Sequence, residues 1–253
     1  MKQAQQQVVA FYDSFYAGEG FRYYPPAFTR AVLRSLLRTA GVRDGARVLD
    51  VGCATGYYSA ILTTLGCEVT GIDISETGIR KAREQYPHIR FEVQDATALP
   101  YPPDSFDVVF AVGVSVANTR DIGAVHEWLR HLMGVLTPGG TLVLVGGSTL
   151  TGAISEHSDW YNHTWEEIKA FVPPDTGTAQ GPWLTHFRLM RALPPWMSMN
   201  AVTTTLLRMV PMGFQRRIVL LLRNQGKGEV RKEGTPAPLL PMREHRPDEQ
   251  EQG

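Results

Sequence analysis

Residues 47–56 read R-V-L-D-V-G-C-A-T-G, and this stretch decides the fold. Val48, Leu49, Asp50 and Val51 form a short, mostly apolar run of the length and β-branched content of a buried strand. Gly52 and Gly56 follow, and residues 57–65 continue with helical character. A strand, a glycine-rich turn and a helix make half of a nucleotide site, because the turn lacks side-chain bulk and the first helical N–H groups have no partner inside the helix. The spacing is not G-x-G-x-x-G: Ala54 stands where a second glycine would be. Glycines also serve such turns simply by letting the chain reverse, so the loop alone leaves the two readings even.

The same unit recurs downstream. Residues 68–72 are expected to form a second strand ending at Asp73, with Ser75 capping a helix over 76–86 that Pro87 closes. Residues 89–93 make a third strand, ending at Gln94-Asp95-Ala96, and after the proline-rich 99–103 loop residues 106–111 make a fourth. Ile122, Val125, Leu129, Leu132, Met133 and Leu136 share one helical face over 122–136, and Pro138-Gly139-Gly140 ends that helix before a fifth strand at 141–145. Near-continuous apolar strands alternating with helices imply a parallel sheet covered on both faces.

Upstream, residues 3–16 read as a helix rich in aromatic and apolar side chains, followed by a glycine break and Phe21-Arg22-Tyr23-Tyr24. Such residues suit docking on the core and a lid over a ligand equally; Tyr12, Tyr16 and Tyr24 are the lid or substrate candidates. Pro25 and Pro26 open a second helix, which Gly41 stops. Beyond residue 146 the pattern loosens. Residues 165–172 and 183–193 read as helices, and 202–210 with 217–222 as an antiparallel hairpin at the sheet edge. The arginines of 203–223 among apolar residues also fit a segment lying on a membrane surface. Pro211 and Gly213 would interrupt a helix there, which favours edge strands with a solvated arginine face. Residues 224–253 are charged and rich in proline and glycine, and are expected to be a disordered tail.

Among 253 residues, 25 Lys and Arg balance 25 Asp and Glu, so no global field favours nucleic acid. The two cysteines, Cys53 and Cys67, are too few for a disulfide framework and read as small apolar filler. With no apolar leader after Met1 and no apolar run of membrane-spanning length, a cytoplasmic protein without a transmembrane segment is expected.

In an open parallel sheet, ligands bind beyond the carboxyl ends of the strands. Asp50 with Gly52, then Asp73, Asp95 and Val112 fall at or just past four such ends. An ionised Asp73 offers two acceptor oxygens to a pair of ribose hydroxyls, and Asp95 an acceptor to an exocyclic amine. Together they point to a nucleoside.

In that setting V-L-D-V-G-C-A-T-G, G-I-D-I-S, Q-D-A-T-A-L-P-Y-P-P-D-S-F-D-V-V-F-A and L-T-P-G-G-T-L-V-L resemble, in order and spacing, the motifs of class I S-adenosylmethionine-dependent methyltransferases, over residues 46–145. The resemblance implies an α/β fold: a doubly wound, mostly parallel seven-stranded Rossmann-like sheet with an N-terminal aromatic lid and a C-terminal cap. One domain over 1–223 is expected, with lid helices in 1–45, a cofactor core in 46–146 and a substrate cap in 147–223. It also implies S-adenosylmethionine as cofactor, its methionine part on Gly52, Cys53, Ala54 and Gly56, with Asp50 orienting the amino group. Asp73 would take the ribose, Ile74 would lie against the adenine, Asp95 and Ala96 would meet its edge, and Val112 would line the methionine end. Ala54, where the family often has glycine, is tolerable if its φ is negative. The family's L-x-x-A-G-F segment is absent, so the substrate half is not carried over.

The implied activity is methyl transfer to an oxygen, nitrogen or carbon of a small apolar or aromatic molecule, driven by positioning and desolvation. A base is optional; His157, His163 and His186 are candidates, with structural roles ranked ahead of catalysis. The run from His157 to His163 shows no convergent ligand set, and no metal is expected. Trp160, Trp165, Trp183 and Trp196 point to an apolar acceptor pocket. The alternatives are a non-catalytic cofactor-binding module acting through a partner, and another S-adenosylmethionine chemistry on the same fold.

Overall fold

The computed structural model describes residues 2–18, 20–21, 23–154, 160–174, 178–209 and 216–225. In chain order the elements are α1 (Lys2–Ala17), α2 (Pro26–Thr39), β1 (Arg47–Val51), α3 (Tyr57–Thr64), β2 (Glu68–Asp73), α4 (Glu76–Gln85), β3 (Arg90–Val93) and β4 (Phe106–Val112). A 3-10 turn at Ser115–Asn118 leads to α5 (Ile122–Met133), β5 (Leu136–Ser148) and the short pair β6 (Ala153–Ile154) and β7 (Tyr161–Asn162). Then follow α6 (Trp165–Lys169), β8 (Thr178–Thr185), α7 (Phe187–Ala192), α8 (Pro195–Ser198), α9 (Ala201–Met209) and β9 (Arg216–Arg223).

The described residues form a seven-stranded sheet in the order β3-β2-β1-β4-β5-β9-β8. β1 to β5 run parallel, and β9 is antiparallel to both β5 and β8. The order reverses between β1 and β4, which opens a crevice at their carboxyl ends. Burial follows the period of two that a strand imposes. Leu49, Val51, Val109, Ala111, Leu142 and Leu144 pack under α5, while Val48, Val108, Phe110, Val143 and Val145 pack against α2, α3 and α7. Both faces are covered, which is why these strands read as continuous apolar runs.

The structure corrects the reading of the C-terminal third. Residues 201–209 are helix, although Thr203, Thr204 and Thr205 favour a strand on propensity. Asn200 supplies the start that propensity does not reveal: its Oδ1 accepts from the Thr203 amide at 2.9 Å, and its carbonyl accepts from the Thr204 amide at 3.0 Å. The strand partner of β9 is instead β8, in which Trp183 pairs with Val219 and Thr185 with Arg217, so the helix expected from residue 183 begins only at Phe187. β9 is therefore an interior strand and β8 the edge. The helix expected over 122–136 stops at Met133, because Leu136 already pairs with Phe106. Most of the tail expected over 224–253 lies outside the described residues.

The arginine face is solvated at Arg208 and Arg223 but not throughout. Arg216 is 1% exposed, with Nε donating to the Leu207 carbonyl at 2.7 Å and Nη1 to the Thr149 carbonyl at 3.4 Å. Arg216→Met is expected to destabilise the fold by about 2–3 kcal/mol, because two carbonyls lose a charged donor. Urea unfolding checks this: the midpoint should fall with little change in slope.

Candidate functional site

The β1 turn is built on β2. The amides of Gly52 and Cys53 donate to the Ile72 carbonyl at 2.8 and 2.9 Å, and the Ala54 amide donates to Asp73 Oδ2 at 2.9 Å. Asp73 Oδ1 accepts from the Ser75 amide at 3.0 Å, so one carboxylate ties the first turn to the second. The Ile74 amide donates to the same carboxylate, which with about four acceptor sites still keeps acceptor capacity for a ligand. Burial raises the Asp73 pKa, and these backbone donors oppose that shift. Ala54 does not meet the condition of a negative φ: it lies at +53°, in the left-handed region, which costs about 1–2 kcal/mol for a residue with a Cβ. Its amide bond to Asp73 helps to hold it there.

Asp50 is 2% exposed and accepts from the Ser59 hydroxyl at 2.6 Å. Loss of water raises its pKa to about 7; Ser59 opposes the shift and the charge of Asp73 adds to it. An unfolded aspartate titrates near 3.8, so between these values folded Asp50 holds a proton that the unfolded chain has released. Its contribution to stability is therefore fullest below the unfolded value and declines as pH rises to about 7, by a few kcal/mol. Asp50→Asn removes that titration. In urea unfolding from pH 5 to pH 8, the stability difference between variant and wild type should move in the variant's favour as pH rises; a difference that stays flat would contradict the burial account.

A cavity of about 350 Å³ opens at the carboxyl ends of the strands. Gly52, Cys53 and Ala54 line it from the first turn, Asp73 and Ile74 from the second, Asp95 and Ala96 from the third, and Val112 from the end of β4. Asp50 and Gly56 sit behind this wall, one bonded to α3 through Ser59 and the other starting that helix. Tyr12, Tyr16 and Tyr24 all face the cavity from the N-terminal segment, beside Tyr23. Burial holds the phenols of Tyr16 and Tyr23 well above their ordinary value, so both are neutral donors at neutral pH.

What holds α1 in place was not evident from sequence. Asp13 Oδ1 accepts from the Thr77 amide at 3.0 Å and from the Ser75 hydroxyl, so a residue of α1 joins the capping of α4. Lys81 donates to the Tyr16 carbonyl. Tyr16 lies directly on α4 because Gly78 has no side chain; a Cβ there would be 3.0 Å from the tyrosine ring.

Tyr58, Trp160, Phe187 and Arg217 also line the cavity. Of the four tryptophans expected in the pocket, Trp160 is on it. Trp165 packs near Ile168 and Leu184, Trp183 packs on the α2 face of the sheet, and Trp196 is 72% exposed. The two described candidate histidines take structural positions. His186 caps α7, its Nδ1 accepting from the Arg188 amide at 3.2 Å, and it is not on the wall. His163 is buried between Tyr161 and Phe171, and its Nε2 donates to the Ala117 carbonyl at 3.0 Å. His157 lies outside the described residues. Both cysteines are free and buried. Among the described residues no cluster of His, Cys, Asp and Glu is placed to hold a metal ion, and no helix is long and apolar enough to cross a membrane.

A family model for a methyltransferase domain matches residues 48–140. Over 166 residues the chain is 35% identical to the demethylmenaquinone methyltransferase of Beutenbergia cavernae, covering 58% of this chain and 67% of that protein. The chain belongs to the class I S-adenosylmethionine-dependent methyltransferases. It is also 41% identical over 104 residues to the 2-methyl-6-phytyl-1,4-hydroquinone methyltransferase of Synechocystis, covering 40% of this chain and 31% of that one. The fold resembles that of the magnesium protoporphyrin IX methyltransferase of Synechocystis with bound S-adenosylmethionine, at a TM-score of 0.55 and 17% identity over 87% of this chain and 97% of that chain. The cofactor of this methyltransferase is S-adenosylmethionine, and the site fits it. A turn of small residues offers bare backbone, and buried Asp73 retains acceptor capacity toward the cavity.

Proposed function

We propose that this methyltransferase moves a methyl group from S-adenosylmethionine to an oxygen, nitrogen or carbon of a small aromatic or apolar molecule held under the N-terminal aromatic segment. The observation that carries this reading is the continuity of one cavity from the acidic turns of β2 and β3, past the end of β4, to a wall of Tyr23, Tyr24, Tyr58, Trp160 and Phe187. When bound, the cofactor supplies a sulfonium methyl already activated toward displacement. The chain then has to bind, orient and exclude water.

In this reading Asp73 accepts from the ribose hydroxyls, while Ile74, Asp95 and Ala96 flank the adenine. Gly52, Cys53 and Ala54 hold the methionine part, with Asp50 and Gly56 supporting the turn from behind. Val112 marks the passage to the acceptor side. Tyr12, Tyr16 and Tyr24 cover the cavity, and Tyr23 and Tyr58 offer hydroxyl donors to a polar atom of the acceptor. The named relatives carry quinone and hydroquinone substrates in their names, which supports an aromatic acceptor. Incubation with methyl-labelled S-adenosylmethionine and a panel of phenols, hydroquinones and aromatic acids tests the proposal. S-adenosylhomocysteine should appear in step with a labelled product; binding without label transfer across the panel would favour a non-catalytic module.

A further inference from the structure

β9 runs against the direction of β5, so its first residues lie beside the last residues of β5: Arg216 pairs with Ser148 and Arg217 with Gly147. That is the edge at which the cavity opens. Successive side chains of a strand point to opposite faces, which separates the two arginines. Arg216 turns toward α9 and is used there by the Leu207 carbonyl. Arg217 shares the α2 side with Val219 and Leu221, is partly buried, and lines the cavity. Its guanidinium carbon lies 4.6 Å from the centre of the Phe187 ring. Among the described residues no carboxylate pairs with it. The acids of the cavity, Asp73 and Asp95, belong to the turns after β2 and β3. Three strands, β1, β4 and β5, stand between β2 and β9, so Arg217 is roughly 19 Å across the sheet from Asp73.

A guanidinium held over a ring by its carbon does not spend its N–H donors on a hydrogen-bond acceptor, and those donors match a planar oxyanion in bidentate geometry. A partly buried cation that pairs with no carboxylate of the described residues gains from a ligand that brings an anion. We propose that Arg217 forms an oxyanion subsite in the acceptor half of the cavity, and that the methyl acceptor is an aromatic or apolar molecule carrying a carboxylate or a comparable planar anion. This rests on the reading of the cavity as a methyltransferase site. The anion fixes the acceptor at the β9 side while its ring lies among Tyr58, Trp160 and Phe187, which makes Arg217 a specificity-determining residue.

Calorimetric titration of the full chain, loaded with saturating S-adenosylhomocysteine, with 2-naphthoate and with its neutral isostere 2-naphthamide tests this. The wild type should bind the acid at least about tenfold more tightly than the amide. Arg217→Gln should lose that preference while keeping its affinity for S-adenosylhomocysteine. Arg217→Lys keeps the charge but not the fork, should retain part of the preference, and serves as the test variant if Arg217→Gln does not fold. Absence of a preference in the wild type, including no measurable binding of either probe, or its survival in Arg217→Gln, overturns the assignment and leaves Arg217 as wall packing. No uptake of S-adenosylhomocysteine by the folded wild type overturns the methyltransferase reading and this assignment with it; uptake without acid preference overturns this assignment alone.

Discussion

Gly56→Ala is expected to lose about 2–5 kcal/mol of folding stability, from two separate sources. The first is the backbone: Gly56 sits at φ +82°, where a residue with a Cβ pays about 1–2 kcal/mol. The second is space. A Cβ on Gly56 would lie 2.7 Å from Phe91 Cζ and 3.1 Å from Tyr86 Cδ2. Phe91 is 3% exposed and packed with Cys53, Ile79, Ala82 and Ile89, so its ring has no open side to turn into without displacing α4. Overpacking of this kind adds about 1–3 kcal/mol. Chemical denaturation measures the sum; a loss of only about 1–2 kcal/mol would mean that the Phe91 ring yields freely and the backbone term alone remains, and a smaller loss would contradict both terms. Because Gly56 also starts α3 behind the cofactor turn, the surviving folded fraction should bind S-adenosylhomocysteine more weakly.

Asp73→Ala is expected to weaken S-adenosylhomocysteine binding by at least about 100-fold, roughly 3 kcal/mol. The substitution removes the ribose acceptor and also the group to which the Ala54 and Ser75 amides donate. Two buried N–H groups lose their partner, at about 1–3 kcal/mol each if no water replaces it, and Ala54 loses a bond that holds it in the left-handed region. Stability should fall less than binding, because the same change relieves the desolvation of a buried carboxylate. Asp73→Asn keeps one acceptor oxygen and should lie between the two. Calorimetry on the three proteins orders them; an alanine variant within about threefold of the wild type would remove Asp73 from the binding account.

The part of the sheet from β1 to β5 was legible in sequence because β1, β4 and β5 carry apolar runs and each strand is followed by its own turn residues. Ser75 marks a helix start, Pro87 follows a helix end, and Asp73 and Asp95 fall at carboxyl ends of the kind where ligands collect. The C-terminal third was not legible, for a physical reason. Thr203, Thr204 and Thr205 favour a strand locally, and only the Asn200 cap and the packing of α9 on β8 make that segment helical. Trp183 to Thr185 read as helix because their strand partner, Val219 to Arg217, lies more than thirty residues further on.

The same limit applied to the site. Residues on the turns of β1 to β4 could be placed from spacing, whereas Asp13, Tyr58 and Arg217 reach the cavity region through long-range packing. Arginines 216 and 217 are alike in sequence and opposite in role, because strand alternation gives one to α9 and the other to the cavity. Knowing that requires the direction of β9. Histidine suits proton transfer by chemistry alone, but His163 and His186 are committed to backbone partners.

Native mass spectrometry of the wild-type chain with added S-adenosylmethionine tests the central claim most directly. The account predicts one cofactor mass per chain, displaced by S-adenosylhomocysteine and greatly reduced in Asp73→Ala. A folded wild type that carries no adduct at saturating cofactor would contradict the assignment of this cavity.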